Sequence, residues 1–321
     1  MQSTSPTAVS YRGELYAFWV GSDDGGIYYS TKSSKDSNWG SVQALAGYVS
    51  GIAVDQNTSP CAAVYQDKLY VFYNGRGQDG TFFAQRTRSG WESKVTALVD
   101  KVPSKQMGFD RNTSPAAATH NGMLHVFWCG SGSDGIYRFT LQGNEWTYRE
   151  RISGPISLAF HTSPCAYSTT KDLYVFYNGG GRDGTYYITY NGDKDKPWNN
   201  PISVRATMEG GMDTLHCTSP SFVASNSGKP RLFWVGSGGV EEGLWFSEKS
   251  GDSFERQRQL TYEIRDGGHW GNPGIRTSPA AATFDIVDAE QKVLECIPFV
   301  FWAGDTSNDS KPTAPIYFAA G

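Results

Sequence analysis

Several things are scarce in this chain, and each scarcity excludes something. Charge of one sign is scarce: 28 Lys and Arg face 32 Asp and Glu across 321 residues, a net charge of -4 with no long run of either sign. That balance gives no electrostatic footprint for nucleic acid or for an anionic membrane. Long apolar runs are missing, and none reaches the roughly 18 residues that would carry a helix across a bilayer. Cysteine is sparse and odd in number: Cys61, Cys129, Cys165, Cys217 and Cys296 lack metal-ligand spacing, so no metal and no disulfide framework is expected. No segment keeps a 3.6-residue apolar period, which excludes long helices. The first repeat unit begins at Thr4, too early for a secretion signal. The expected location is cytoplasmic, or outside the cell by a route without a signal peptide.

What the chain has instead is glycine (37) and aromatics (18 Tyr, 17 Phe, 10 Trp), the mixture of tight turns and short strands. It also repeats. Thr-Ser-Pro occurs at Thr4, Thr58, Thr113, Thr162, Thr218 and Thr277, at intervals of 54, 55, 49, 56 and 59 residues. After each comes an apolar run ending in Phe, Trp or Tyr, one variable residue, and Gly: FWVG, FYNG, FWCG, FYNG, FWVG and FWAG. A Gly- and Asp-rich stretch and a second aromatic run follow (GIYYST, GTFFAQ, GIYRFT, GTYYIT, GLWFSE, PIYFAA). Another aromatic comes next at Trp39, Trp91, Trp146, Trp198 and Phe254.

Each unit reads as four strands: A from Thr-Ser-Pro, B through the FW/FY run, C through the second aromatic run, and D beyond the next turn, as at 39–45. Units of this length and strand content predict an all-β chain, a six-bladed β-propeller with mostly four-stranded antiparallel blades, forming one domain over 1–321. The sixth unit ends just after strand C, so either the sixth blade has three strands or something beyond this chain closes it.

In such a blade the B–C loops and the D–A connections share one end. The repeated polar signatures fall in both, and they therefore converge on one face. The B–C loops supply Asp24, Asp79, Asp134, Asp183 and Glu242, with Asn74 and Asn178 close by. The D–A connections supply Asn57, Asn112, His161, His216 and Arg276, and strand C adds Tyr29, Phe83 and Tyr187. Carboxylates and amides pair with vicinal hydroxyls, and aromatic rings lie against the apolar face of a sugar. The expected clefts pair Asp24 with Asn57, Asp79 with Asn112, Asp134 with His161, Asp183 with His216, and Glu242 with Arg276. The plainer alternative is that Gly and Asp close tight loops and that Thr and Ser brace turns.

A loop repeated with little change suits several weak sites on one rigid body better than a single active site. The units resemble the mushroom propeller lectins, in particular the six-bladed type that binds terminal N-acetylglucosamine. That resemblance implies a non-enzymatic, multivalent carbohydrate-binding protein without cofactors, with sugar sites between neighbouring blades and glycans or glycoproteins as partners. The alternatives are a sialidase-like glycoside hydrolase, which would need a central arginine trio that does not recur here, and a protein-binding propeller. Fucose-binding six-bladed lectins use a regular arginine–glutamate–tryptophan set, which this chain lacks.

Overall fold

The computed structural model describes residues 4–21, 25–34, 37–55, 57–77, 80–101, 110, 112–130, 135–152, 158–159, 161–180, 184–192, 197–212, 214, 218–224, 229–236, 243–260, 278–287, 293–303 and 316–320. Its strands form six antiparallel sheets, each built from one sequence repeat, five in the order A-B-C-D and the last in the order A-B-C. The first comprises Thr7–Tyr11, Glu14–Val20, Ile27–Lys32 and Gln43–Ala44. The second comprises Cys61–Tyr65, Lys68–Asn74, Thr81–Thr87 and Gly90–Trp91, with Thr96–Ala97 as an additional outer strand. Four or five strands make up five of the sheets. The sixth has three, Ala280–Val287, Val293–Ala303 and Ile316–Ala320. The expectation of six mostly four-stranded blades is therefore met in full by five. Strand D is also shorter than the sequence suggests: only Gln43–Ala44 of 39–45 pairs in the first blade.

Thr-Ser-Pro lies just ahead of strand A rather than inside it, because strand A begins at the residue after each proline. The three residues have separate tasks. Three of the threonine hydroxyls each close a turn on the carbonyl three residues back: Thr58 on Asp55 at 2.9 Å, Thr113 on Asp110 at 2.7 Å, Thr162 on Ala159 at 2.9 Å. Each serine hydroxyl accepts the N–H of the equivalent serine in a neighbouring repeat. The chain of bonds runs Ser5 to Ser59, Ser59 to Ser114, Ser114 to Ser163, Ser163 to Ser219, Ser219 to Ser278, and Ser278 back to Ser5, all at 2.7–2.8 Å. A head-to-tail contact repeated with one rotation closes into a ring. The ring surrounds a cavity of about 170 Å³ lined by the six Ser-Pro pairs and the start of each inner strand. The proline has no N–H to leave unpaired at this crowded hub.

Outside the hub, stability comes from aromatic packing between blades. Leu15, Phe18, Leu69, Phe72, Leu124, Phe127, Leu173 and Phe176 have no exposed surface. An aromatic in or just ahead of strand D reaches back onto the preceding blade in four of the blades. Trp91 packs edge-on to Phe18 at 6.2 Å, Trp146 to Phe72 at 6.4 Å, Trp198 to Phe127 at 6.0 Å, and Phe254 to Phe176 at 6.4 Å. Trp39 of the first blade packs on Phe301 and Phe318 of the sixth, so the last blade is covered across the closure.

The hairpins between strands A and B are the plain turns the sequence suggests. Positive φ at Arg12 and Gly13, Gln66 and Asp67, and Asn121 and Gly122 is the backbone signature of type I′ turns.

Candidate functional site

The end of the disc carrying the B–C loops is organised by backbone bonds. The connection into the second blade is stitched to two loops at once. Val54 N–H donates to the Gly25 carbonyl of the first blade at 3.0 Å, Asp55 N–H to Asn74 at 2.8 Å, and Arg76 N–H to Ala53 at 2.9 Å. The same donation recurs from Asp110 to Cys129 and from Ala159 to Asn178, each at 2.9 Å. The predicted meeting of B–C loops and D–A connections is thus built into the backbone at each of these junctions. Gly25, with φ +65°, is pinned there: a Cβ would sit 2.2 Å from the Arg76 guanidinium and 3.2 Å from the Val54 carbonyl.

Of the predicted site residues, Asp24, Asp79, Asp134, Asp183, Glu242, His216 and Arg276 lie outside the described residues. Asn57, Asn112 and His161 are described, and they face one another. Asn57 Nδ2 donates to Asn112 Oδ1 at 3.1 Å, and Asn112 Nδ2 lies 3.3 Å from His161 Nδ1. All three hold φ near +60°, a left-handed conformation that Asn tolerates best among non-glycine residues. Equivalent side chains of a six-fold ring touch only close to its axis. These residues therefore form a second polar arc by the hub, next to the serine ring, and not walls of clefts between blades. In the fifth repeat Cys217, not His216, directly precedes Thr-Ser-Pro as these three do.

The three strand C aromatics singled out by the sequence are core residues. Tyr29, Phe83 and Tyr187 are 5 %, 4 % and 2 % exposed, and their faces are taken up by protein. Phe83 lies between Phe72 and Trp146, and Tyr187 between Phe176 and Phe254. No room is left for a sugar ring. Side chains alternate across a strand, so the residue before each points to the other face. Tyr28, Phe82, Tyr137, Tyr186 and Trp245 occupy that position, and all are half-buried. Three of them stack on strand B rings: Phe82 on Tyr73, Tyr137 on Trp128 and Tyr186 on Tyr177, each at 5.8 Å. Phe82 and Trp245 also lie over the glycines of the FYNG and FWVG motifs. A Cβ on Gly75 or Gly236 would come within 2.5 Å of those rings. The recurring glycine in this motif is therefore a seat for an aromatic ring. Counting alternation from the buried Phe18 through its partner Tyr29 would have found the correct face.

Asn74 and Asn178 are structural. Each donates through Nδ2 to a Thr-Ser-Pro threonine carbonyl of the neighbouring repeat (Thr113 at 2.8 Å, Thr218 at 2.6 Å) and accepts the hydroxyl of Thr81 or Thr185. Where the sequence has Val20 instead, its cross-strand partner is Ile27. The polar pair and the apolar pair are two solutions to one buried position.

A third polar cluster sits on the outer rim between the first two blades. Gln43 Oε1 accepts the hydroxyls of Tyr29 at 2.9 Å and Tyr48 at 2.7 Å, and Trp91 Nε1 donates to Tyr29 at 3.4 Å. The Arg86 guanidinium lies 5.9 Å from the Tyr16 ring and 5.6 Å from that of Trp91. Burial raises the Tyr29 hydroxyl above its ordinary range. Tyr48 is 52 % exposed. No repeat signal marks this cluster, because neither Gln43 nor Tyr48 recurs in other units.

Among the described residues no group of His, Cys, Asp and Glu could hold a metal ion. No described helix is long and apolar enough to cross a membrane.

No family model matches the chain, and no curated protein matches it. Solved structures do. AofleA from Arthrobotrys oligospora aligns over 100% of this chain and 87% of its own, at 10% identity and TM-score 0.63. The Aleuria aurantia lectin, solved in complex with Fucα1-6GlcNAc, aligns over 100% and 97%, at 13% identity and TM-score 0.57. A Hadza microbial sialidase aligns over 98% of this chain but 65% of its own, at 11% identity and TM-score 0.60. At these identities the likeness establishes the all-β propeller fold, which supports lectins and hydrolases alike.

Proposed function

We propose that the chain is a multivalent, non-enzymatic lectin for terminal N-acetylglucosamine or a related neutral sugar, with sites where adjacent blades meet. The observation that supports this most directly is the stitched junction. The connections into the second, third and fourth blades are bonded to the end of their own strand B, the one into the second also to the B–C loop of the first blade, and a half-buried aromatic stands near the start of strand C in five blades. In this reading Asp24, Asp79, Asp134, Asp183 and Glu242 accept hydroxyl hydrogens. The exposed edges of Tyr28, Phe82, Tyr137, Tyr186 and Trp245 pack on the sugar C–H face or the acetamide methyl. Asn57, Asn112 and His161 brace the hub. Likeness to the Aleuria aurantia lectin along the whole chain is compatible with this assignment.

Calorimetric titration with N-acetylglucosamine tests it. The reading requires more than one site per chain, weakening on Asp79→Ala and Phe82→Ala without loss of the fold, and no release of sialic acid from a fluorogenic sialoside. Absence of sugar binding, or turnover of the sialoside, overturns it.

A further inference from the structure

Three strands C carry a basic residue at one equivalent position facing the preceding blade: Lys32, Arg86 and Lys249, each opposite the start of its own strand B. Two are satisfied locally. Lys32 Nζ donates to the Ser37 carbonyl and Lys249 Nζ to the Gly251 carbonyl. Other rim guanidiniums also have partners: Arg231 pairs with Glu248 at 3.0 Å, and Arg258 reaches the same carboxylate at 3.5 Å. Arg86 differs. It touches the faces of Tyr16 and Trp91, yet its N–H groups meet no acceptor among the described residues. A half-buried guanidinium offers five donors in a fixed fork matched to a carboxylate or sulfate.

Its surroundings fit the same kind of ligand. Trp91, beside Arg86, bonds to Tyr29, which bonds to Gln43. Because Gln43 Oε1 already accepts two tyrosine hydroxyls, what Gln43 has left to offer is its Nε2 donors, which meet no described acceptor. Tyr48, 52 % exposed, is bonded to Gln43 and leaves aromatic surface open beside it. Spare donors beside exposed aromatic surface match a ligand with an anionic group on a ring that has an apolar face.

We propose that the outer rim between the first and second blades binds an acidic sugar residue, its carboxylate or sulfate held by Arg86 and the Gln43 amide and its ring set against Tyr48 and Trp91. The proposal rests on the lectin reading only in taking the ligand to be a saccharide; this rim site is separate from the B–C loop sites.

The test titrates the full chain with methyl β-glucuronide, methyl β-glucoside, glucose 6-sulfate and N-acetylglucosamine. The glucuronide, the sulfate or both should bind about ten-fold tighter than the glucoside, the scale of one charge-assisted contact. Added salt should erode the difference. Arg86→Gln should remove the preference and leave N-acetylglucosamine binding unchanged. Gln43→Glu keeps the acceptor for both tyrosines, replaces the amide donors with a negative charge, and should abolish anion binding even if the arginine variant fails to fold. Equal affinity for glucuronide, sulfate and glucoside overturns the proposal, as does full anion binding by folded Arg86→Gln or Gln43→Glu. Binding of N-acetylglucosamine without the anionic sugars defeats this proposal and spares the lectin reading; the reverse result does the opposite. Binding of none of the four defeats both.

Discussion

The hub and the rim follow opposite rules. At the hub every repeat makes the same bond, serine N–H to serine hydroxyl, six times within 0.1 Å (2.7–2.8 Å). At the rim the polar contacts among the described residues differ from place to place: a tyrosine–glutamine cluster lies between blades one and two, an arginine on a tyrosine ring (Arg138 on Tyr190) between three and four, and an arginine–glutamate network on blade five. The lesson concerns constraint. A closed ring tolerates one geometry at its centre, whereas each outer junction need only fill space. Energy and geometry need not coincide, however, and the belt of packed rings between hub and rim should carry most of the stability.

Phe176→Ala gives the largest expected effect. It empties a fully buried site against Tyr187 and Phe222 and should cost about 3–5 kcal/mol in chemical denaturation. Acid comes next. His125 has no exposed surface, its Nε2 has no partner among the described residues, and its pKa is lowered to about 3 by burial and then by the neighbouring Arg138 charge. The unfolded chain takes up this proton near pH 6.5 and the folded protein does not. Stability is therefore fully present above pH 6.5 and is lost as pH falls toward 3. By pH 4 the loss should be roughly 3 kcal/mol, and melting of His125→Phe at pH 7 and pH 4 should show a smaller difference than the parent. Third, Asn178→Ala should cost about 1–3 kcal/mol by stranding the Thr185 hydroxyl and the Thr218 carbonyl. The pair Asn178→Val with Thr185→Ile copies the first blade and should cost less than the single change. The smallest effect belongs to the hub: Ser114→Ala removes the acceptor of Ser59 N–H and should cost about 1 kcal/mol. Should it exceed Phe176→Ala, the hub and not the belt holds the disc together.

Much of the architecture was legible because the chain is compared with itself. Thr-Ser-Pro and the FW/FY-x-Gly run marked blade length, strand order and the face on which loops converge. The serine ring was not legible, since a serine before proline reads equally well as a turn brace. The strand C aromatics were misplaced because two or three consecutive rings, as in Tyr28-Tyr29 and Phe82-Phe83, hide the alternation that separates core from edge. Asn57 and Asn112 read as ligand donors because a polar residue in a loop has no visible partner until the ring brings its equivalent beside it. The Arg86 site was silent for the converse reason: it occurs once, and a search for repeats passes over it.

The bond from Ser278 to Ser5 joins positions 273 residues apart. Every other link of that ring spans 49 to 59 residues. Local links can form while a ribosome is still working, but this one must wait until five repeats are already laid down. During synthesis the growing polypeptide is an open arc with sticky aromatic flanks at either end. Slow translation late in the message prolongs that vulnerable interval, and chaperone dependence should track it.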